Sequence, residues 1–200
     1  MTRAPRLVLA SASPRRAQLL AQLGLSVEVM PPEVDETYPE GEDAAAHAER
    51  LAREKAEWVA ARAPGAWSVG GDTVVVDGAR LLGKPASEEE AVAMLLSLSG
   101  REHEVLSAVA LAGGGATLSA VGRARVRFRA FGPDLARAYA ATGEPMDKAG
   151  GYGIQGLGAA LVDGIHGDYY TVVGFPIIRF LELLELRGWR YAFGRLELHP

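Results

Sequence analysis

Short apolar runs alternate along this chain with stretches of helical periodicity, and that alternation restricts the fold more than any other feature. Leu7 to Ala10 reads as a buried strand. A helix follows, with Leu19, Leu20 and Leu23 on one face. Leu25 to Met30 ("LSVEVM") alternates as a second strand and ends at Pro31 and Pro32. Asp43 to Arg62 is helical, with Leu51, Trp58 and Val59 as its apolar stripe. Strands and helices in turn point to an α/β fold.

The rest of the chain continues the pattern. "WSVGGDTVVVDGARLL" reads as strand, Asp77-Gly78 turn, strand. Ser87 and Glu90 form a capping box for a helix that stops at Gly100. Two long strands flank Gly113 to Gly115, and Pro133 starts a short helix. Gly143 to Gly174 is expected to be irregular, with "GAALV" strand-like, and Phe175 to Leu186 to be an amphipathic closing helix. No linker separates two domains cleanly, so residues 1–200 are expected to form a single domain.

Composition excludes several classes. Hydrophobic residues make up 48% and charged residues 23%, enough for a packed core. A net charge of -4 gives no general attraction to nucleic acid or anionic membrane. The chain has no cysteine, hence no disulfide or thiolate metal site. The first apolar run is too short for a signal segment and no stretch approaches the ~20 apolar residues of a membrane span, so a cytoplasmic protein is expected.

The first chemical candidate is the strand-to-helix junction "SASPRR", Ser11 to Arg16. Ser13 suits a helix N-cap through its hydroxyl, and Pro14 suits the first helical position. Arg15 and Arg16 do not fit that explanation, because cations are mildly unfavourable at the positive end of a helix. With Ser11 they form a candidate phosphate site, hydroxyls and guanidinium forks beside free N–H groups. A capped surface helix with solvated arginines is the alternative.

Asp72 stands between Gly70-Gly71 and a β-branched run. A carboxylate in a strand core is costly unless it is paired or metal-bound, though a bulge at the glycines could also accommodate it. Glu33, Asp35, Glu36 and Glu40 occupy a loop, where most acids are simply solvated. Lys55 shares a helical face with Leu51 and Trp58, to serve chemistry or to snorkel past the core. Lys84 is presented rigidly in "GKP". Gly143 to Ala159 carries Asp147, Lys148, Tyr152 and Gln155, and the Gln155 amide can read a base edge. Arg123, Arg125, Arg127 and Arg129 alternate onto one face, read as a solvated sheet surface rather than a nucleic-acid stripe. His47, His103, His166 and His199 lack metal-ligand spacing.

Together these stretches resemble the Maf family of nucleoside triphosphate pyrophosphatases over nearly the whole chain. The motifs are "SASPRR", "EVDE" (33–36), "RLAREKA" (50–56), "GGDTVV" (70–75), "GKP" (83–85), "LSG" (98–100) and "DKAGGYGIQG" (147–156). Arg15, Thr73 and Gln155 jointly look like the subgroup acting on dTTP and UTP. "GGDT" replaces the more usual "GADT", with no expected effect on chemistry.

The resemblance implies a mixed elongated sheet with flanking helices, similar to the fold of inosine triphosphate pyrophosphatases, with a cleft between two lobes, a homodimer, and a divalent metal, Mg²⁺ or Mn²⁺. It assigns Asp72 as catalytic base, Glu36 and Asp72 as metal ligands, and Ser11, Ser13, Arg15, Arg16, Lys55, Thr73, Lys84 and Gln155 as nucleotide contacts. Membrane and stable nucleic-acid partners are not expected. Two rival readings accompany it. One is a non-enzymatic regulator of septum formation, which would not need Asp72; the other is a house-cleaning enzyme acting on modified nucleotides.

Overall fold

The computed structural model describes residues 4–39 and 41–199. Glu40, one of the candidate acids, therefore lies outside the described residues. Two compact units emerge. The first comprises residues up to Asp72, Ser107–Gly122 and residues from Gly174 onward; the second comprises Thr73–Leu106 and Arg123–Val173.

In the first unit, strand β1 (Leu7–Ala10) is buried throughout and feeds helix α1 (Pro14–Gln22). Strand β2 is shorter than its alternating pattern, Val27–Val29. The reason is local: the Leu25 N–H donates to the Leu20 carbonyl and so closes the end of α1. Asp43 caps helix α2 (Ala44–Ala60), accepting from the N–H groups of Ala45 and Ala46. Strand β3 (Trp67–Asp77) pairs parallel with β1, Leu9 opposite Val69. Val8 and Ala10 pack with Val59, Ala63 and Ala66.

In the second unit, β3 turns through Asp77-Gly78 into β4 (Arg80–Leu82), with Asp77 opposite Arg80 as the turn signal requires. Ser87 caps α3 (Glu88–Leu98), and Glu90 reaches back to the Ala86 N–H, closing the capping box one residue early. Strands β5 (Glu102–Gly113) and β6 (Ala116–Phe128) follow, then α4 (Pro133–Ala140). Leu95, Leu98, Val105, Val126, Phe128 and Tyr152 form the core.

The stretch after Gly143 is more ordered than expected. It contains three 3-10 turns (Glu144–Asp147, Ala149–Gly151, Leu157–Leu161), strand β7 (Val162–Gly167) and helix α5 (Tyr169–Val173). "GAALV" is thus mostly a turn, and only its valine enters a strand. β7 pairs antiparallel with β6, with a register shift at Arg127/Phe128.

The main sheet has the order β2-β1-β3-β5-β6-β7, with β4 on β3; β1 pairs parallel with β2 and β3, while β4 on β3 and β7 on β6 are antiparallel. Helix α6 (Ile177–Glu185) is not the last element: a hairpin of β8 (Trp189–Tyr191) and β9 (Leu196–Leu198) follows. Its turn needs positive φ at both central residues. Phe193 (φ 42) and Gly194 (φ 95) supply it, an aromatic standing where asparagine or glycine would have signalled the turn. Among the described residues no helix is long and apolar enough to cross a membrane.

Candidate active site

In the first unit one close approach of strand to helix brings Lys55 to Asp72. A Cβ on Gly70 would lie 2.1 Å from the Ala52 carbonyl oxygen, so only glycine lets β3 lie this near α2. Two residues further along β3, Asp72 meets Lys55 of α2, Oδ1 to Nζ at 2.8 Å. The same ammonium is 2.6 Å from Glu36 Oε1. Lys55 is 6% exposed and Asp72 8%. Lys55 therefore does not snorkel; it is a buried cation between two carboxylates. Asp72 is paired within a continuous strand, so no bulge is needed to explain it.

Glu36 comes from an exposed loop that side chains pin in place. Asp35 accepts from the N–H and hydroxyl of Thr37, at 2.9 and 2.6 Å. Arg50 donates to the Thr37 carbonyl at 3.3 Å and forks onto Glu42 at 2.8 and 3.0 Å. Buried His47 stands 2.7 Å from Glu42, and Tyr38 donates to the Glu42 carbonyl. The Arg50 hydrogen bond, helped by His47, holds the Glu42 carboxyl down to about 2. Of this Arg50–Glu42–His47 lock, Glu42 carried no signal in the sequence, and Arg50 appeared only within "RLAREKA".

Arg16 is held at the start of α1. Its Nη1 donates to Ser11 Oγ at 3.0 Å and its Nε to the Gly174 carbonyl at 2.9 Å. Burial lowers the guanidinium pKa, and neighbouring Arg15 lowers it further, against the raising fields of Asp72 and Glu36. Ser13 occupies the N-cap position but makes no side-chain cap. Ser11, itself buried, instead accepts from the Ser13 N–H at 3.2 Å. The expected Ser13 side-chain cap is therefore absent, and the Ser11 hydroxyl instead closes a turn just before the helix.

Thr73, Lys84 and Gln155 belong to the second unit. Thr73 follows Asp72 in β3, so its side chain points to the opposite face of the strand. Lys84 and Gln155 are exposed. The Gly150 N–H donates to the Gly83 carbonyl at 3.0 Å, which ties the "GKP" turn to the glycine-rich loop.

The arginine stripe is the solvated face expected of it. Arg123 pairs with Glu104, Arg125 with Glu102 and Arg127 with Asp163. His103 lies against Tyr152, and His166 and His199 are exposed. No group of three or more acidic or histidine side chains among the described residues is arranged to hold a metal.

The family pattern described as Maf-like protein matches residues 6–187. The chain belongs to the Maf-like protein family. A dTTP/UTP pyrophosphatase of Myxococcus xanthus is 53% identical over 188 residues, covering 92% of this Maf-like chain and 95% of that protein. A dTTP/UTP pyrophosphatase of Symbiobacterium thermophilum is 49% identical, covering 94% and 97%. Among solved structures, the Staphylococcus aureus Ham1 protein is similar at 17% identity and a TM-score of 0.47, covering 78% of this chain and 79% of that one.

Proposed function

We propose that this Maf-like chain hydrolyses dTTP and UTP to the nucleoside monophosphate and pyrophosphate, with Asp72 as general base. The observation that carries the reading is the buried Lys55–Asp72 pair beside Glu36, a costly arrangement in a strand core that a binding module for septum formation would not need. The printed activity of the relatives from Myxococcus and Symbiobacterium supports it.

In the proposed reaction a water oxygen bonds to the α-phosphorus. The bond from that phosphorus to the bridging oxygen breaks, and pyrophosphate leaves with the electron pair. Asp72 takes the proton of the attacking water. Charge grows on the leaving group, so positioned cations lower the barrier. Arg16 is fixed in advance by Ser11 and the Gly174 carbonyl, which spares ordering cost on binding. Arg15, Ser13, the α1 N-terminus, Lys55 and Lys84 complete the phosphate contacts in this reading. Thr73 and Gln155 select the base, the Gln155 amide accepting from the ring N3–H of thymine or uracil and donating to a carbonyl.

A divalent cation, Mg²⁺ or Mn²⁺, belongs to the same reading. The donor set fits: Glu36 and Asp72 already direct one oxygen each at a single cation, the Lys55 ammonium. Two carboxylates plus substrate phosphate oxygens and water suit a hard ion. When bound, such an ion neutralises polyphosphate charge. A homodimer and a cytoplasmic setting are part of the proposal through the family resemblance.

The test is pyrophosphate release from canonical and modified triphosphates with Mg²⁺ or Mn²⁺. Release from dTTP and UTP well above CTP, GTP and ATP supports the reading. A purified, folded protein that releases none from any triphosphate overturns it.

A further inference from the structure

We propose that Glu144, acting with Tyr139, is the positioning residue for base selectivity, because together they fix both ends of the loop that carries Gln155. The inference rests on the dTTP/UTP reading above. The Glu144 carboxylate accepts from the Leu157 N–H at 2.8 Å and the Gly158 N–H at 3.1 Å, on the C-terminal side of Gln155. Tyr139 donates its hydroxyl to Glu144 Oε1 at 2.8 Å. The same phenol oxygen accepts from the Gly153 N–H at 3.0 Å, on the N-terminal side. One carboxylate and one phenol thus span the loop from residue 153 to residue 158.

The glycines of this loop are fitted to those side chains. A Cβ at position 156 would lie 2.4 Å from Glu144 Oε2, and one at position 158 would lie 2.5 Å from the Tyr139 oxygen. A Cβ at position 153 would lie 2.6 Å from Lys148 Cε, whose ammonium donates to the Glu144 carbonyl at 2.6 Å. The glycine spacing therefore has a use besides ligand approach: it admits the clamp. Burial pushes the Glu144 carboxyl up, but the Leu157 and Gly158 amides, with Tyr139 and Lys148, more than offset this and hold it below its ordinary value. Burial pushes the Tyr139 phenol up, so it stays a donor.

Gln155 itself is exposed, so its backbone must be set by its neighbours if its amide is to meet a base edge. Recognition groups need placement within about 0.5 Å. None of the clamp atoms belongs to the Lys55–Asp72 cluster. Loosening the clamp should therefore raise KM and erase base preference while sparing kcat.

The experiment measures kcat and KM for dTTP, UTP and CTP. It compares wild type, Gln155→Ala, Glu144→Gln, Tyr139→Phe and the Glu144→Gln/Gln155→Ala double variant, each checked for folding by thermal melt. Glu144→Gln keeps the shape but turns an NH₂ toward an N–H donor, and Tyr139→Phe removes only the hydroxyl. The expected result is a loss of up to about 10²-fold in the dTTP/CTP ratio of kcat/KM, carried by KM in both clamp variants, Glu144→Gln and Tyr139→Phe. Glu144→Gln should add little once Gln155 is alanine. Folded variants with wild-type selectivity, or independent losses in the double variant, would overturn the inference. If Glu144→Gln does not fold, Tyr139→Phe decides alone. A selective wild type altered by Gln155→Ala but not by the clamp variants defeats this inference only. A wild type without base preference defeats the dTTP/UTP reading and this inference together.

Discussion

Lys55 Nζ lies 2.8 Å from Asp72 Oδ1, with both side chains buried. Removing one partner of a buried ion pair leaves an uncompensated charge, at a cost of about 3–5 kcal/mol. Here Glu36, half exposed, still holds the lysine. Asp72→Asn should therefore fold with a lowered Tm, its amide oxygen still accepting from Lys55. Its kcat should fall by ~10²–10⁴-fold through loss of the base. Steady-state kinetics and a thermal melt on one preparation check both halves. Retention of more than about a tenth of wild-type kcat removes Asp72 from the role.

Arg16 is anchored before a triphosphate arrives, so its alanine variant should lose a preformed phosphate contact. A charge-assisted hydrogen bond contributes about 1.5–3 kcal/mol. Arg16→Ala should lower kcat/KM for dTTP by about 10–150-fold on that basis, and Arg15→Ala should lower it as well. Arg16→Lys should recover little, because an ammonium cannot reproduce the fork onto Ser11 and Gly174. Unchanged kinetics in both alanine variants would make the arginines ornaments of a helix start.

The two glycines before Asp72 should respond differently to alanine. At position 70 the new Cβ would strike the Ala52 carbonyl at 2.1 Å and the Ala56 nitrogen at 2.8 Å, both backbone atoms. Overpacking costs about 1–3 kcal/mol and sometimes more. Gly70→Ala should lower Tm markedly and spread Lys55 from Asp72. At position 71 the nearest atoms are Arg16 Nε at 3.2 Å and the Ala108 oxygen at 3.3 Å, which small shifts relieve. Gly71→Ala should be far milder in a thermal melt. Equal destabilisation by the two would contradict the close approach of β3 to α2.

Stability should fall with acid partly through His103. Burial lowers its imidazole to about 4, and Nδ1 has no partner among the described residues. An unfolded histidine titrates near 6.5. The unfolded chain therefore binds the extra proton first. The contribution is fully present above about 6.5 and is lost as pH falls toward about 4. Chemical denaturation at pH 7 and pH 5 should show a steeper loss in wild type than in His103→Gln. Parallel curves would mean that His103 titrates normally in the fold.

Strand β1, helix α2, the Asp77-Gly78 turn and the Ser87 cap were legible because each rests on local chemistry: apolar runs, a cap oxygen, a glycine turn. The β8–β9 hairpin was not, since Phe193 carries a left-handed φ that sequence assigns to glycine or asparagine. The Lys55–Asp72–Glu36 cluster was legible only as separate charged candidates. Lys55 was ambiguous because helical spacing shows its face but not that a carboxylate stands opposite. Glu42, Tyr139 and Glu144 gave no signal of their own, because their partners are brought to them by folding across loops.

The central claim is that water attacks the α-phosphorus of dTTP. Turnover in ¹⁸O-labelled water, followed by mass spectrometry of both products, tests it most directly. The account predicts one ¹⁸O in dTMP and none in pyrophosphate. Label in pyrophosphate, or dTDP and inorganic phosphate as products, would contradict it.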